Sequence, residues 1–195
     1  MIGKLSDKLT LALIRRGQID ADERELYAYG FFILLSNLFF GIIACLIGAV
    51  CGAFFEAILF YIAFRCIRQY AGGYHAKTET RCQVLSSLAI LLAVLAVKAM
   101  EAFSLPWLSV PLAAIGTVCV LCFAPLDTPQ KPLDPAEHKQ FRKISLWILL
   151  ALDVLFTVGY IFSLWFLCLP VAAALGVETV LLCSGKIAGR EKHKE

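Results

Sequence analysis

The stretch Tyr29–Val50 reads YGFFILLSNLFFGIIACLIGAV and contains no charged residue over its 22 positions. A helix needs about 20 mostly apolar residues to cross the roughly 30 Å hydrocarbon core of a bilayer. We therefore predict that this stretch is a transmembrane helix. A cleavable signal peptide is not expected, because the run starts late, is long and lacks a small-residue cleavage site.

The composition of the whole chain fits the same environment. Of its 195 residues, 60% are hydrophobic and 17% are charged, and the mean hydropathy is +0.79. Soluble domains average roughly 25% charged residues, and a chain this short cannot hide so much apolar surface from water. We predict an all-α integral membrane protein whose residues 1–195 form a single membrane domain.

Apolar runs continue along the rest of the chain. The longest covers 40 residues, from Ile144 to Cys183. As one helix it would be about 60 Å long, twice the membrane, so we expect a turn near Gly159–Ser163. The resulting six spans are predicted at about 29–50, 53–70, 84–100, 105–125, 144–160 and 164–183.

Basic residues are distributed unevenly between the two sides of these spans. All but one of the 18 Lys and Arg residues precede the first span, follow the last, or lie between spans two and three or four and five. With six spans these four segments fall on one side, and short basic loops remain cytoplasmic. We expect a multi-pass cell-membrane protein with both termini in the cytoplasm. The net charge of +3 reflects this asymmetry and gives no reason to expect nucleic acid as a partner.

The N-terminal segment has a different pattern from the spans. Over residues 4–17, apolar side chains recur at helical spacing, with basic residues between them. We predict an amphipathic helix that lies on lipid at the inner leaflet. A mobile tail is the alternative that the pattern leaves open.

One segment, RQYAGGYHAKTETRC from Arg68 to Cys82, is polar where most of the chain is not. Gly72 and Gly73 are expected to break the second span and to allow close backbone approach. Thr78 is a natural N-cap, which would put Cys82 in the first turn or so of the third span. Helix N-termini and nearby cations favour the thiolate form of cysteine.

His75 and Cys82 have the residue types of a general base and a nucleophile, provided that their side chains meet. On a continuous helix they would lie about 10 Å apart along the axis, so the glycines must fold His75 back toward Cys82. The alternative is that Cys82 packs as a small apolar residue, as cysteines commonly do. A metal site is not expected, because one His and one Cys supply only two ligands.

The same segment resembles the accessory gene regulator protein B family. The resemblance extends to Ala124–Leu133 (APLDTPQKPL), which looks like the second characteristic loop of that family, and to the span count and basic loops. It implies that Cys82 is the nucleophile and His75 the general base, without a cofactor. Arg68 and Gly73 match positions that the family needs for activity.

Several other residues in or near these motifs have alternative roles that the sequence does not distinguish. Gly72 could contribute backbone N–H groups to an oxyanion site, and Lys131 could grip an acidic substrate or remain solvated. Arg68 could bind a substrate carboxylate or anchor the helix at the interface. Asp153 and Glu178, inside spans five and six, could orient His75 or pack as buried carboxyls between helices.

The resemblance also implies an activity. Such proteins are membrane-embedded cysteine endopeptidases of quorum sensing, which cleave the C-terminal tail of a short pro-peptide through a Cys thioester and cyclise the product to a thiolactone or lactone. The site would face the cytoplasm, and the protein would act as a homodimer. A small peptide transporter or exporter, or a non-catalytic membrane scaffold, are the alternatives from other classes.

Overall fold

The computed structural model describes residues 2–73, 78–126 and 134–192, and within these ranges it is all-helical, without a β-strand. The predicted all-α class is therefore confirmed. The helices are α1 (Ile2–Arg15), α2 (Arg24–Cys51), α3 (Phe54–Ala71), α4 (Glu79–Ala102), α5 (Ser109–Phe123), α6 (Pro135–Ile161) and α7 (Trp165–Lys192). Short 3₁₀ turns, Ala21–Glu23 and Pro106–Leu108, precede α2 and α5.

The chain forms two compact units, Met1–Ile43 and Ala44–Glu195. The first contains α1 and most of α2. Helix α1 occupies most of the range predicted to be amphipathic, and Lys8, Arg15 and Arg16 line one shallow surface groove on it together with Leu11 and Ala12. The position of α1 on a lipid surface stays a prediction.

Five helical segments in the described ranges are long and apolar enough to cross a membrane. Many of their large apolar side chains are exposed, as a lipid solvent permits. The protein is therefore a membrane protein. The candidate spans are Ala21–Cys51, Thr80–Ala102, Pro106–Phe123, Pro135–Ile161 and Trp165–Ile187.

Helix α3 is the segment on which the count of six depends. Its 18 residues include Glu56, Arg65 and Arg68, and it is not among the five candidate spans. At 1.5 Å per residue it is about 27 Å long, close to the thickness of the hydrocarbon core. The length of α3 is compatible with a sixth span, but its composition is too polar to identify one, so the six-span count stays a prediction.

The long apolar run is divided between two helices. Helix α6 ends at Ile161 and α7 begins at Trp165, with Ser163 in a left-handed conformation between them (φ 56°). Both helices extend beyond the apolar run: α6 begins at Pro135, before Ile144, and α7 continues to Lys192, after Cys183. Hydropathy predicts the part of a helix that lies in lipid, whereas capping residues decide where the helix itself begins and ends.

Helix α7 is the central helix of the second unit. It packs against α3, α4, α5 and α6, and its residues Cys168–Leu175 are buried. Small residues allow this close packing, which is a common feature of membrane helix interfaces. At Gly116 of α5, an added Cβ would lie 2.6 Å from the Leu175 Cβ, so the two helices approach each other closely there.

Candidate active site

The candidate site begins where α3 ends. Gly72 follows Ala71 as the C-cap with a φ of 77°, and its N–H donates a hydrogen bond to the Arg68 carbonyl at 3.3 Å. A positive φ is readily adopted only by residues without a Cβ. The predicted break of the second apolar helix at these glycines is therefore confirmed.

The end of α3 is joined to the segment that follows α5. The Leu126 N–H donates to the Ala71 carbonyl at 2.9 Å, and Gly72 and Leu126 form an isolated parallel bridge. A Cβ at Gly72 would lie 2.5 Å from the Leu126 carbonyl oxygen. The structure thus brings together the beginnings of the two segments on which the sequence resemblance rests.

Gly73 is enclosed by Arg68 on one side and α7 on the other. Its φ is 121°, and a Cβ there would collide with Arg68 Nη1 and lie 3.1 Å from the Leu181 carbonyl oxygen. Any side chain at this position would have to displace the guanidinium of Arg68 or the backbone of α7. Glycine is therefore favoured at position 73 first by its φ, which strains any L side chain, and second by the close approach of Arg68 and the α7 backbone.

The Arg68 side chain turns into the helix cluster and not toward the interface. Its side chain is only 12% exposed, Nη1 donates to the Gly72 carbonyl, and the same nitrogen lies 3.9 Å from Glu178 Oε1 on α7. These contacts favour a supporting role over interfacial anchoring, because the guanidinium is used to hold backbone and a buried carboxyl.

Cys82 lies in the first turns of α4, as the capping pattern predicts. Thr78 is the N-cap, and its Oγ1 accepts a hydrogen bond from the Arg81 N–H at 3.3 Å. The Cys82 N–H donates to the Thr78 carbonyl at 3.0 Å, and the residue is half-buried. Arg68, which precedes the glycines, is close enough to interact electrostatically with Cys82, which follows them.

A second arginine holds the neighbouring helix end. Arg142 of α6 donates to the carbonyls of Ala124, at 2.6 Å, and Leu121, at 3.2 Å. Basic side chains commonly satisfy the last carbonyls of a helix. The sequence indicated Arg142 only as one of the cytoplasmic charges, because its acceptors lie on another helix and carry no sequence signal.

The remaining candidates separate into two groups. His75 and Lys131 lie outside the described residues, so the contact between His75 and Cys82 stays a prediction, as does the role of Lys131. Asp153 accepts a hydrogen bond from the Thr117 hydroxyl at 2.8 Å, which joins α6 to α5. This bond favours the interpretation of Asp153 as a packed carboxyl between helices.

The described residues thus form a helical membrane protein. Its candidate site combines a helix break at two glycines, a buried arginine–glutamate pair, and a cysteine in the first turns of a capped helix. The chain belongs to the accessory gene regulator B family, whose model matches residues 6–182. Membership in this family associates the protein with accessory gene regulator quorum-sensing systems.

Individual relatives are similar over most of the chain. AgrB-like protein 2 of Clostridium perfringens is 26% identical over 90% of this chain and 86% of its own length. Accessory gene regulator protein B of Staphylococcus haemolyticus is 26% identical over 76% of this chain and 77% of its own length. Protein FsrB of Enterococcus faecalis is 29% identical over 58% of this chain and 47% of its own length. No solved structure matches the chain.

Proposed function

We propose that the protein is a membrane-embedded cysteine endopeptidase that removes the C-terminal tail of a quorum-sensing pro-peptide and cyclises the remainder. The proposal is carried by one juxtaposition: Cys82 lies in the first turns of the capped helix α4, within electrostatic reach of the buried Arg68 guanidinium. The thiolate is the form of cysteine that attacks a carbonyl carbon. The substrate class is inferred from the membership in this family.

In the first step, His75 takes the proton of the Cys82 thiol and the sulfur attacks a peptide carbonyl carbon of the pro-peptide. The tetrahedral intermediate collapses, the C–N bond breaks, and the departing amine of the tail takes the proton from the His75 imidazolium. The body of the pro-peptide remains bound to Cys82 as a thioester.

In the second step, a thiol or hydroxyl within the bound pro-peptide attacks the thioester. It forms a thiolactone or lactone ring and returns the sulfur to Cys82, while its proton passes to His75. Exchange of one thioester for another is close to energy balance, so cyclisation must outrun hydrolysis. A bound, folded substrate gives its own nucleophile a high effective concentration.

The developing oxyanion needs N–H donors near Cys82. The Arg81 and Cys82 N–H groups are already used by Thr78. The N–H groups of Glu79 and Thr80, in the first turn of α4, have no acceptor within the helix, as in any helix. These two backbone donors are therefore the strongest candidates for the oxyanion site.

Three further features of the proposal come from the resemblance. The site faces the cytoplasm, the enzyme acts as a homodimer, and the substrate is a short pro-peptide with an internal cysteine or serine. Lys131 holds acidic residues of that peptide. The buried contacts of Arg68 with Gly72 and Glu178 support a structural role for this side chain in preference to binding of a substrate carboxylate.

The test reconstitutes the purified protein in liposomes with a synthetic pro-peptide and follows the released tail and the Cys82 adduct by mass spectrometry. Cys82→Ala should abolish both signals, and His75→Ala should lower the cleavage rate by about 10²–10⁴-fold, the usual share of a general base. Cys66→Ala removes an exposed thiol on α3 and should cleave normally. Tail release by Cys82→Ala would refute the proposal.

The same liposomes test the alternatives. Movement of intact peptide across the bilayer without cleavage would show a transporter. Neither cleavage nor transport, with the peptide still bound, would show a scaffold.

A further inference from the structure

Glu178 is a buried charged residue whose environment requires an explanation. Its side chain is fully inaccessible to solvent, and neither carboxyl oxygen has a hydrogen-bond partner among the residues that the structure describes. Burial of a carboxylate without a partner is strongly unfavourable, and a buried polar group without hydrogen bonds is uncommon in native proteins. A carboxyl in this environment needs a compensating group nearby.

The partner of that charge is Arg68. Arg68 Nη1 lies 3.9 Å from Glu178 Oε1, which is close enough for an ion pair and too long for a direct hydrogen bond. The same nitrogen donates to the Gly72 carbonyl. One guanidinium therefore interacts with a carboxyl on α7 and with the backbone that ends α3.

The backbone held in this way leads directly to the proposed catalytic residues. Gly72 is also fixed by Leu126, and Gly73 lies between Arg68 and the Leu181 carbonyl. The chain enters residues 74–77 from this point and returns at the N-cap of α4, which carries Cys82. A shift of the guanidinium would therefore move the Gly72–Gly73 backbone, which precedes His75 in the sequence by two residues.

We propose that Glu178 is a positioning residue for the cysteine peptidase reaction, an inference that rests on the proposed function. Its carboxyl holds the Arg68 guanidinium against the Gly72 carbonyl and so fixes the Gly72–Gly73 backbone from which the chain continues to the proposed base, His75. Glu178 does not touch the substrate. Its loss should therefore reduce turnover, because His75 and Cys82 are misaligned, while substrate binding is retained.

The central variant is Glu178→Gln, which keeps the shape of the side chain and removes its charge. It should lower kcat by about 100-fold, the loss that a misplacement of about 1 Å can produce, with little change in KM. Arg68→Gln combined with Glu178→Gln should lose no more than the worse single variant, because both act through one contact. Glu178→Asp, which keeps the charge, should recover part of the lost kcat.

The matched control is Asp153→Asn, which removes another carboxylate from a candidate span. Asp153 bonds to Thr117 and is not part of the proposed contact, so kcat should stay near the parent value. An equal loss in Asp153→Asn would mean that any carboxylate substitution disturbs the bundle, and it would overturn the inference.

Hydrogen exchange supplies a readout that does not require catalysis. Glu178→Gln should accelerate amide exchange in peptides that cover residues 70–82, while those of α5 remain as in the parent. Unchanged exchange in residues 70–82 would overturn the inference, whether or not the parent cleaves. A parent that fails to cleave refutes the proposed function, whereas a parent and a Glu178→Gln variant with equal kcat refute only the role of Glu178.

If Glu178→Gln does not fold, the pair Arg68→Met with Glu178→Leu replaces it. Apolar residues of similar volume are often tolerated in place of a buried ion pair. This folded double variant should still lack turnover, because no guanidinium remains at the Gly72 carbonyl. Parent-like turnover by it would refute the inference.

Discussion

At the residue scale, Gly73 gives the sharpest prediction because space and backbone conformation act on it together. Gly73→Ala should abolish or greatly reduce tail release, since a Cβ there meets Arg68 Nη1 and the φ of 121° strains any L side chain by about 1–3 kcal/mol. The measurement is the cleavage rate in liposomes, together with the melting temperature of the purified protein.

The matched control for Gly73→Ala is Gly52→Ala. Gly52 also has a positive φ, 63°, but a Cβ there has no atom within 4 Å, and it lies in the α2–α3 turn. The backbone cost of about 1–2 kcal/mol should lower stability modestly and leave the cleavage rate of the folded fraction unchanged. Equal losses of cleavage in both variants would contradict a specific role for the contact between Gly73 and Arg68.

Local features of the site could be predicted from sequence, whereas its long-range contacts could not. The end of α3 at Gly72 and the cap of α4 by Thr78 were predictable, because each depends only on neighbouring residues along the chain. The contact of Arg68 with Glu178 depends on how α3 and α7 pack. The sequence predicted Arg68 near the end of span two and Glu178 inside span six, but no periodicity indicates which side chains of different helices meet.

At the element scale, the close approach of α5 and α7 gives a prediction about the stability of the second unit. Gly116→Ala should lower the melting temperature in detergent by the equivalent of about 1–3 kcal/mol, because its Cβ would lie 2.6 Å from Leu175 Cβ and 3.0 Å from the Leu175 backbone. Gly176→Ala should cost less, since its near atoms belong to the flexible end of the Leu112 side chain.

The control for these packing variants is Gly30→Ala on α2. A Cβ at Gly30 has no atom within 4 Å, and Ala is favoured over Gly in a helix by about 1 kcal/mol. This variant should therefore melt at or above the parent temperature. The order Gly116→Ala, Gly176→Ala, Gly30→Ala, from least to most stable, is the expected result, and a Gly116→Ala variant that melts with the parent would contradict the close packing of α5 on α7.

Helix existence was also more predictable than helix extent. The apolar stretch Tyr29–Val50 lies inside α2, which begins at Arg24, and the apolar part of α6 lies inside a helix that begins at Pro135. Helix α6 begins early because Glu137 accepts the Asp134 N–H at 3.2 Å. Hydropathy does not detect such caps, since they concern backbone hydrogen bonds outside the lipid.

At the scale of the whole molecule, the orientation of the chain depends on α3. If α3 crosses with the five candidate spans, the chain crosses six times and both termini lie on one side. If α3 remains on one surface, five crossings put the termini on opposite sides. The composition of α3 is polar, but Glu56 lies near one end and Arg65 and Arg68 near the other, where charged side chains are tolerated.

We expect α3 to cross and both termini to be cytoplasmic, because the basic segments then all face the side on which short basic loops remain. The test fuses a reporter that fluoresces only in the cytoplasm, or one that is active only outside, after Lys8, after Thr78 and after Glu195. All three positions should report the cytoplasm. An extracytoplasmic signal after Thr78 and after Glu195, with a cytoplasmic one after Lys8, would show that α3 does not cross. Cys82 would then face outward, away from a pro-peptide made in the cytoplasm, so the topology of this one helix also tests the proposed peptidase.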